Sequence, residues 1–208
     1  MRWIVAVAAI VVIVAAFAIP IALIGNGDDA EAKETDGAFI AGMIPHHQMA
    51  IEMAEMAQER AKHPEIEEMA GAVIEAQSEE IDELSAIHED LFGEPVAQGD
   101  HGTLGLPASE MGMDMEMSML EDAKRFDQMF IDMMVPHHQG AIRMARIELA
   151  EGEDSRLQEL STAIIDAQSR EIEQMNEWRA MWYGSPSAAG GVPSEDDASV
   201  PSHEAMGH

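Results

Sequence analysis

The stretch MIPHHQMAIEMA, residues 43–54, recurs as MVPHHQGAIRMA, residues 134–145. Both stretches belong to a longer internal repeat, because residues 39–88 align with residues 130–179 without a gap and at a constant offset of 91 residues. Self-similarity at a constant offset is typical of a supersecondary unit that occurs more than once in a chain. The fold is therefore expected to consist of two copies of one unit.

Each copy shows the periodicity of two amphipathic helices. The pattern is interrupted at residues 62–65 in the first copy and at residues 151–155 in the second, so each copy predicts a helical hairpin. Hairpins with such short loops are antiparallel, and two of them can bury their apolar faces together. The sequence thus predicts an all-α four-helix bundle over residues 37–183, with Ser118 and Glu121 as a capping box for the third helix. The predicted helices are 37–61, 64–92, 118–151 and 154–183.

The N-terminal segment predicts a membrane anchor. Residues 3–24 are uninterruptedly apolar and long enough to cross a bilayer as a helix, so residues 1–27 are assigned to a transmembrane helix and residues 28–36 to an acidic linker. The small residues around Phe17 also resemble a signal-peptide cleavage site, so secretion after cleavage is the alternative. With Arg2 before the span and acidic residues after it, we expect a single-pass protein whose C-terminal domain is extracytoplasmic.

The composition limits the partners. With 11 basic and 40 acidic side chains, the formal net charge is −29, so the chain would repel phosphate backbones and nucleic acid is not an expected partner. The sequence has no cysteine, which excludes disulfides and thiol chemistry. Residues 184–208 are rich in Gly, Pro and Ser and predict a disordered tail.

The repeated motif offers imidazole and thioether groups on one helix. At about 100° per residue His46 and His47 diverge and cannot share one face. Met43 lies one turn before His47, whereas Met49 and Met53 follow His46 by one and two turns. The second copy carries Gly140 at the position of Met49, and its corresponding candidates are Met133, Met134, His137, His138 and Met144.

These side chains form a soft to borderline donor set. Thioether and imidazole suit Cu(I), and imidazole also accepts Cu(II), whereas calcium and magnesium prefer oxygen. The alternative is a metal-free core, in which the histidines are hydrogen-bonded and the methionines fill space. Two residue pairs on the second helix of each hairpin, Gln77 with Glu80 and Gln168 with Glu171, could orient the imidazoles or simply join the helices.

A long connection of residues 93–117 joins the hairpins and carries a run of alternating methionines. Loops of this length are uncommon unless they are functional or disordered. If the thioethers stay accessible along a flexible strand, they could capture Cu(I) or Ag(I); a solvated loop of low complexity is the alternative. The methionines of this run are Met111, Met113, Met115, Met117 and Met119.

The two motifs, each followed by A-Q-S-x-E-I, resemble the domain of unknown function 305 family over about residues 36–183. The resemblance implies a ferritin-like four-helix bundle, frequent export, and in some members copper binding through His and Met with a contribution to copper tolerance. It implies metal-binding roles for Met43, His46, His47 and Met53, and for Met134, His137, His138 and Met144.

No pattern in the sequence predicts an enzyme. The Glu-x-x-His spacing of di-iron carboxylate bundles and the His-Glu-x-x-His motif of zinc proteases are both absent. The sequence therefore predicts an extracytoplasmic copper-binding protein that sequesters or passes on Cu(I) or Cu(II) and contributes to copper homeostasis or tolerance. A metal-free, acidic, membrane-anchored interaction module is the alternative, and no protein partner is predicted.

Overall fold

The computed structural model describes residues 28–97, 102 and 104–194, with side chains from residue 33 onward. This part of the chain is all-α and contains no strand. The predicted anchor, residues 1–27, lies outside it, and none of the helices that it does contain is long and apolar enough to span a membrane. The helices are α1 Asp28–Arg60, α2 Pro64–Phe92, α3 Met117–Glu121, α4 Phe126–Glu151 and α5 Ser155–Tyr183.

The prediction of an acidic linker at residues 28–36 is wrong, because these residues form the first turns of α1. The segment DDAEAKETD has no proline or glycine, and its alanine, glutamate and lysine residues have high helix propensity. Gly37 does not end the helix either. Its missing side chain makes room for the ring of Phe92, which lies 3.1 Å from the position of a Cβ at Gly37.

The third predicted helix is divided into α3 and α4, and the capping-box prediction is wrong. Glu116 is the N-cap of α3, without a side-chain cap, and Ser118 lies within the helix. The end of α3 is explained by Arg60, whose guanidinium donates hydrogen bonds to the carbonyls of Leu120, Glu121 and Ala123 at 2.6–3.2 Å. The side chain thereby satisfies carbonyls that a continuing helix would otherwise use.

The two hairpins, α1–α2 and α4–α5, pack on each other mainly through α1 and α4. These two helices are antiparallel, because Asp36 near the start of α1 contacts the loop after α4. At the other end, the guanidinium of Arg60 lies 4.7 Å from the ring centroid of Phe126, the first residue of α4.

An aspartate from each hairpin caps the loop of the other. Asp127 accepts hydrogen bonds from the backbone N–H groups of Lys62 and His63 at 3.0–3.2 Å. Asp36 accepts from the N–H groups at Glu153 (3.0 Å) and Asp154 (3.5 Å). Equivalent positions in these contacts are 91 residues apart: Asp36 and Asp127, Lys62 and Glu153, His63 and Asp154. The repeat therefore begins before residue 39, and the two copies are related by a pseudo-twofold axis.

The core consists of two buried clusters, one toward each end of the α1–α4 pair. The first includes Ala50 and Met53 of α1 with Phe130 and Met134 of α4. The second includes residues of the opposite ends of the same helices, Phe39, Met43, Ala141 and Met144 among them. Both motif histidine pairs lie between these clusters along the chain. The core is therefore divided by a layer of polar side chains.

The prediction of a disordered tail is wrong for residues 184–194, while residues 195–208 lie outside the described residues. Gln139 of α4 donates hydrogen bonds to the carbonyls at Ala189 (2.9 Å) and Gly191 (2.6 Å). Asn176 of α5 donates to Gly190 at 2.8 Å and accepts from the N–H of Ser187 at 2.8 Å. Amide side chains on two helices thus satisfy the backbone of a segment that lacks secondary structure of its own.

Candidate metal centre

The first histidine of each motif faces the other repeat. The rings of His46 on α1 and His137 on α4 have centroids only 3.7 Å apart, with 36° between their planes. Both side chains are completely buried. The pseudo-twofold arrangement therefore places the two motifs at the same level of the bundle, one imidazole from each repeat in direct contact.

The second histidine of each motif faces the partner helix of its own hairpin. The His138 Nε2 lies 2.6 Å from Glu171 Oε2 in a hydrogen bond. The His47 Nε2 lies 2.8 Å from Glu80 Oε2, a close contact without the alignment of a hydrogen bond. Within each motif the two ring centroids are 6.2 Å apart, so the divergence predicted from the helical wheel is confirmed.

Several imidazole nitrogens in this layer are buried and have no hydrogen-bond partner. These are Nδ1 of His46 and His138, and both ring nitrogens of His47 and His137. A buried polar group without a partner costs free energy, and such groups in native structures call for an explanation. Neutral imidazole nitrogens with free lone pairs are the form that binds metal ions.

Burial favours the neutral form of the central pair. Burial first, and then the neighbouring rings of His47 and His138, lower the pKa of His46 to about 3. The pKa of His137 is lowered well below the ordinary value, again mainly by burial and then by His46. Desolvation penalises the charged imidazolium, and additional positive charge nearby adds to the effect. Both rings are therefore uncharged at neutral pH.

Each core cluster contains buried methionines from both repeats. Met43 of the first repeat shares a cluster with Met144 of the second. Met53 of the first repeat shares the other cluster with Met133 and Met134 of the second. Because α1 and α4 are antiparallel, thioethers from both repeats lie on each side of the histidine layer along the helices. The helical wheel places methionines of the same helix beside each histidine, and the packing of the two repeats adds thioethers from the facing helix.

The connection between the hairpins folds onto α4, so the expectation of a flexible strand is wrong for residues 104–117. The Met111 side chain is buried, and its backbone carbonyl lies 3.0 Å from His46 Nε2. Close packing against α4 depends on two glycines. A Cβ at Gly140 would lie 1.9 Å from the Met111 carbonyl oxygen, and a Cβ at Gly112 would lie 2.6 Å from the Pro136 carbonyl oxygen. Gly140 therefore replaces Met49 of the first repeat because the connection occupies this space.

The remaining methionines of the connection differ in exposure. Met113, Met115 and Met117 are partly buried; Met113 packs on one core cluster, and Met115 and Met117 pack on the other. Met119, which lies on α3, is 54% exposed. Met49 on α1 is likewise partly buried at the edge of a cluster. The predicted methionines therefore fall into a buried group, which includes Met111 of the connection, and a group that is partly or largely exposed.

Sequence reasoning missed one group of the site, the Met111 carbonyl, because a backbone oxygen leaves no signature in composition. It placed Glu80 and Glu171 correctly beside the imidazoles, whereas Gln77 and Gln168 are buried with side-chain oxygens that have no partner. The sequence contained one indication that the connection packs on α4. The second repeat has Gly140 where the first has Met49, which interrupts an otherwise well-matched repeat.

The donor set fits a soft ion and does not fit a hard one. Among the residues that the structure describes, no group of three His, Asp or Glu side chains could hold a metal ion. Buried thioethers of both repeats lie on either side of the unpartnered imidazole nitrogens and are the soft donors available to complete a site. Imidazole with thioether is a combination that suits Cu(I).

A model of the family described as a domain of unknown function, DUF305, matches residues 36–205. The chain belongs to the DUF305 family. It also matches an uncharacterized protein of Acanthamoeba polyphaga mimivirus, with 42% identity over 52 residues that represent 25% of this chain and 34% of that protein. The match thus spans about a third of that relative's length.

Solved structures extend the similarity to the whole helical bundle. CopM in the Cu(I)-bound form is 38% identical, with a TM-score of 0.64, and the match covers 72% of this chain and 98% of CopM. CopM in a form soaked with silver is 38% identical, with a TM-score of 0.62, covering 72% and 97%. A DUF305 protein from Streptomyces coelicolor, 24% identical with a TM-score of 0.66 and coverage of 75% and 98%, supports the fold alone.

Proposed function

We propose that this DUF305 protein binds copper, chiefly Cu(I) and also Cu(II), through imidazole and thioether groups contributed by both repeats of a ferritin-like bundle. It acts as a binding protein rather than an enzyme, sequesters copper or passes it on outside the cytoplasm, and contributes to copper homeostasis or tolerance. An N-terminal anchor in the cell membrane, or secretion after cleavage, is part of the same proposal. The solved copper- and silver-bound forms of CopM support the choice of ion.

One observation carries the proposal. Completely buried imidazoles from opposite repeats, His46 and His137, are in contact and present nitrogens without hydrogen-bond partners. These rings are neutral, so their lone pairs are available without loss of a proton. The buried thioethers of Met43, Met53 and Met144 are the sulfur donors that we assign to the inner sites, together with Met133 and Met134.

The burial of the layer also bears on selectivity. A strongly hydrated ion such as Mg²⁺ keeps several of its waters, which a closed layer of imidazole and thioether groups does not replace. Cu(I) prefers soft ligands and gives up water for them. The partly exposed methionines of the connection, Met113, Met115 and Met117 with Met119 on α3, are assigned to capture of the ion at the surface.

The test is a Cu(I) titration of the full chain against a competing chelator, with the protein kept in detergent because residues 3–24 are apolar. We expect His46→Ala with His47→Ala to remove part of the tight binding, and His137→Ala with His138→Ala to remove the rest. Unchanged stoichiometry in the quadruple variant would refute the proposal.

The matched control is His88→Ala. His88 is also a helical histidine, but its Nδ1 is 2.8 Å from the carbonyl of Glu94 and it lies outside the layer. This variant is expected to bind Cu(I) as the unaltered protein does. If the unaltered protein itself competes no better than the chelator, the metal-free interaction module becomes the preferred function.

A further inference from the structure

Three of the four motif histidines have an oxygen within 3.0 Å of Nε2, through a hydrogen bond in His46 and His138 and through a contact without hydrogen-bond alignment in His47. The Nε2 of His138 is bonded to Glu171, the Nε2 of His47 faces Glu80 at 2.8 Å, and the Nε2 of His46 lies 3.0 Å from the Met111 carbonyl. In each of these rings Nδ1 is buried and has no partner.

An oxygen acceptor beside a ring nitrogen determines the tautomer of a neutral imidazole. A carbonyl can only accept, so His46 must carry its proton on Nε2 to bond Met111. A carboxylate likewise favours the proton on the nitrogen that it faces, which applies to His47 and His138. In all three rings the lone pair is then left on Nδ1.

The two histidines outside the layer that the structure describes, His63 and His88, show the opposite arrangement. His63 is bonded through Nδ1 to the carboxylate of Asp127, and His88 is bonded through Nδ1 to the carbonyl of Glu94. Among the described histidines, an oxygen at Nε2 is therefore found only in the motifs. The two motif contacts with Glu80 and Glu171 are also equivalent under the offset of 91 residues, whereas the Met111 carbonyl serves His46 alone.

We propose that Nδ1 is the ligating atom of His46, His47 and His138, and that Glu80, Glu171 and the Met111 carbonyl are positioning groups that hold the proton on Nε2. This inference rests on the proposed function, since it names the atoms through which the copper site binds. Metal-binding histidines commonly donate their other ring N–H to a carboxylate or backbone carbonyl, and this bond orients the ring and increases its basicity.

His137 completes the layer differently. Both of its nitrogens are without a partner, and its ring packs against His46. Unlike His47 and His138, it has no carboxylate against its ring among the described residues, so its ligating nitrogen can adapt to the ion. The layer therefore combines three preset rings with one adjustable ring, and the adjustable ring lies where the two repeats meet.

The experiment measures ring tautomers in the full chain with ¹⁵N-labelled histidine. Two-bond ¹H–¹⁵N correlation spectra of the metal-free protein should show the Nε2–H tautomer for His46, His47 and His138. His63 and His88 provide internal references with Nδ1 engaged. An Nδ1–H tautomer in the three motif rings would overturn the inference without any metal present.

Addition of Ag(I), which is diamagnetic, identifies the ligating atom. The large ¹⁵N shift should fall on Nδ1 of the three rings. A shift at Nε2 instead would overturn this inference and leave the proposed function intact. Absence of any shift in all four motif rings would overturn the proposed function and this inference with it.

Substitutions at Glu171 separate positioning from packing. Glu171→Leu removes the acceptor, so we expect His138 to lose its tautomer preference and affinity for Ag(I) to fall about tenfold to a hundredfold. Glu171→Gln keeps an oxygen acceptor and should restore both properties in large part. A mixed tautomer with unchanged affinity in the leucine variant would show that the carboxylate does not act through His138.

Discussion

At the residue scale, Glu148 is a buried acid without a basic partner among the described residues. Its side chain is completely buried near the end of α4, and Asp36, also buried, lies beside it. Burial first, and then the adjacent Asp36 and Asp154, raise the pKa of Glu148 to about 9. At the pseudo-equivalent end of the bundle the corresponding position is Ala57, so the repeat does not require this carboxyl group.

Glu148 should make the stability of the protein dependent on pH. Because its folded-state pKa lies above the ordinary value of 4.5, the folded chain binds more protons than the unfolded chain between the two values. The free energy of unfolding should therefore fall as pH rises through this range, by up to about 4 kcal/mol between about pH 5 and 8. Glu148→Gln should flatten this slope in urea unfolding measured at several pH values.

The control for this prediction is Glu159→Gln, which changes an exposed carboxyl group on α5. It should leave the pH dependence of unfolding unchanged. If the Glu148→Gln variant keeps the full slope, another group is responsible for it.

Asp127 shows how one side chain can hold two hairpins together. Its carboxylate is buried and accepts backbone hydrogen bonds from Lys62 and His63 in the opposite loop. Asp127→Ala would leave these N–H groups without a partner, and we expect a loss of about 2–4 kcal/mol in the free energy of unfolding. Asp127→Asn keeps one acceptor and should lose less. Equal stability of all three proteins in denaturant titrations would contradict the capping role.

At the element scale, the connection can pack against α4 only because Gly140 has no side chain. A Cβ at Gly140 would meet the Met111 carbonyl at 1.9 Å, a contact with backbone that a small adjustment cannot relieve. Helix propensity alone would favour Gly140→Ala by about 1 kcal/mol. We nevertheless expect the variant to displace the connection and to become sensitive to a glutamate-specific protease at Glu110.

Gly71→Ala is the matched control, because Gly71 also lies inside a helix and a Cβ there would meet only the end of the Gln58 side chain at 3.3 Å. This variant should be equally or more stable and resist cleavage at Glu110. Protection of Glu110 in the Gly140 variant would show that the connection does not need the glycine.

The boundaries of the elements could largely be predicted from local signals. Helix α2 begins at Pro64 and is followed by Gly93 with φ 77°, while α5 is capped by Asp154 and followed by Gly184 with φ 90°. Such signals act within one turn of the chain. The division between α3 and α4 could not be predicted, since it depends on Arg60, about sixty residues away in the sequence.

At the scale of the whole molecule, the two repeats form one cooperative unit. Each core cluster contains residues of both repeats, and the histidine layer joins them at the centre. Neither hairpin can keep its apolar face buried alone. We therefore expect a single unfolding transition, with far-UV circular dichroism and tryptophan fluorescence changing together.

Both tryptophans of the bundle, Trp178 and Trp182, lie on α5 and report on the second repeat. The experiment uses Trp3→Phe to remove the signal of the N-terminal segment. If fluorescence changed at a lower denaturant concentration than circular dichroism, the repeats would unfold separately and the shared core would contribute little to their coupling.

The sequence by itself determined the two hairpins, most helix ends and the presence of two paired histidines flanked by methionines. Periodicity and helix caps act over short distances along the chain, and the internal repeat is visible when the sequence is compared with itself. Only the tertiary structure decided that the ring of His46 packs against that of His137 and that each core cluster contains methionines of both repeats. It also decided that the Met111 carbonyl lies beside His46, where the backbone of Met111 packs on Gly140. These contacts join residues far apart in sequence, and they depend on antiparallel packing and on space left by an absent side chain.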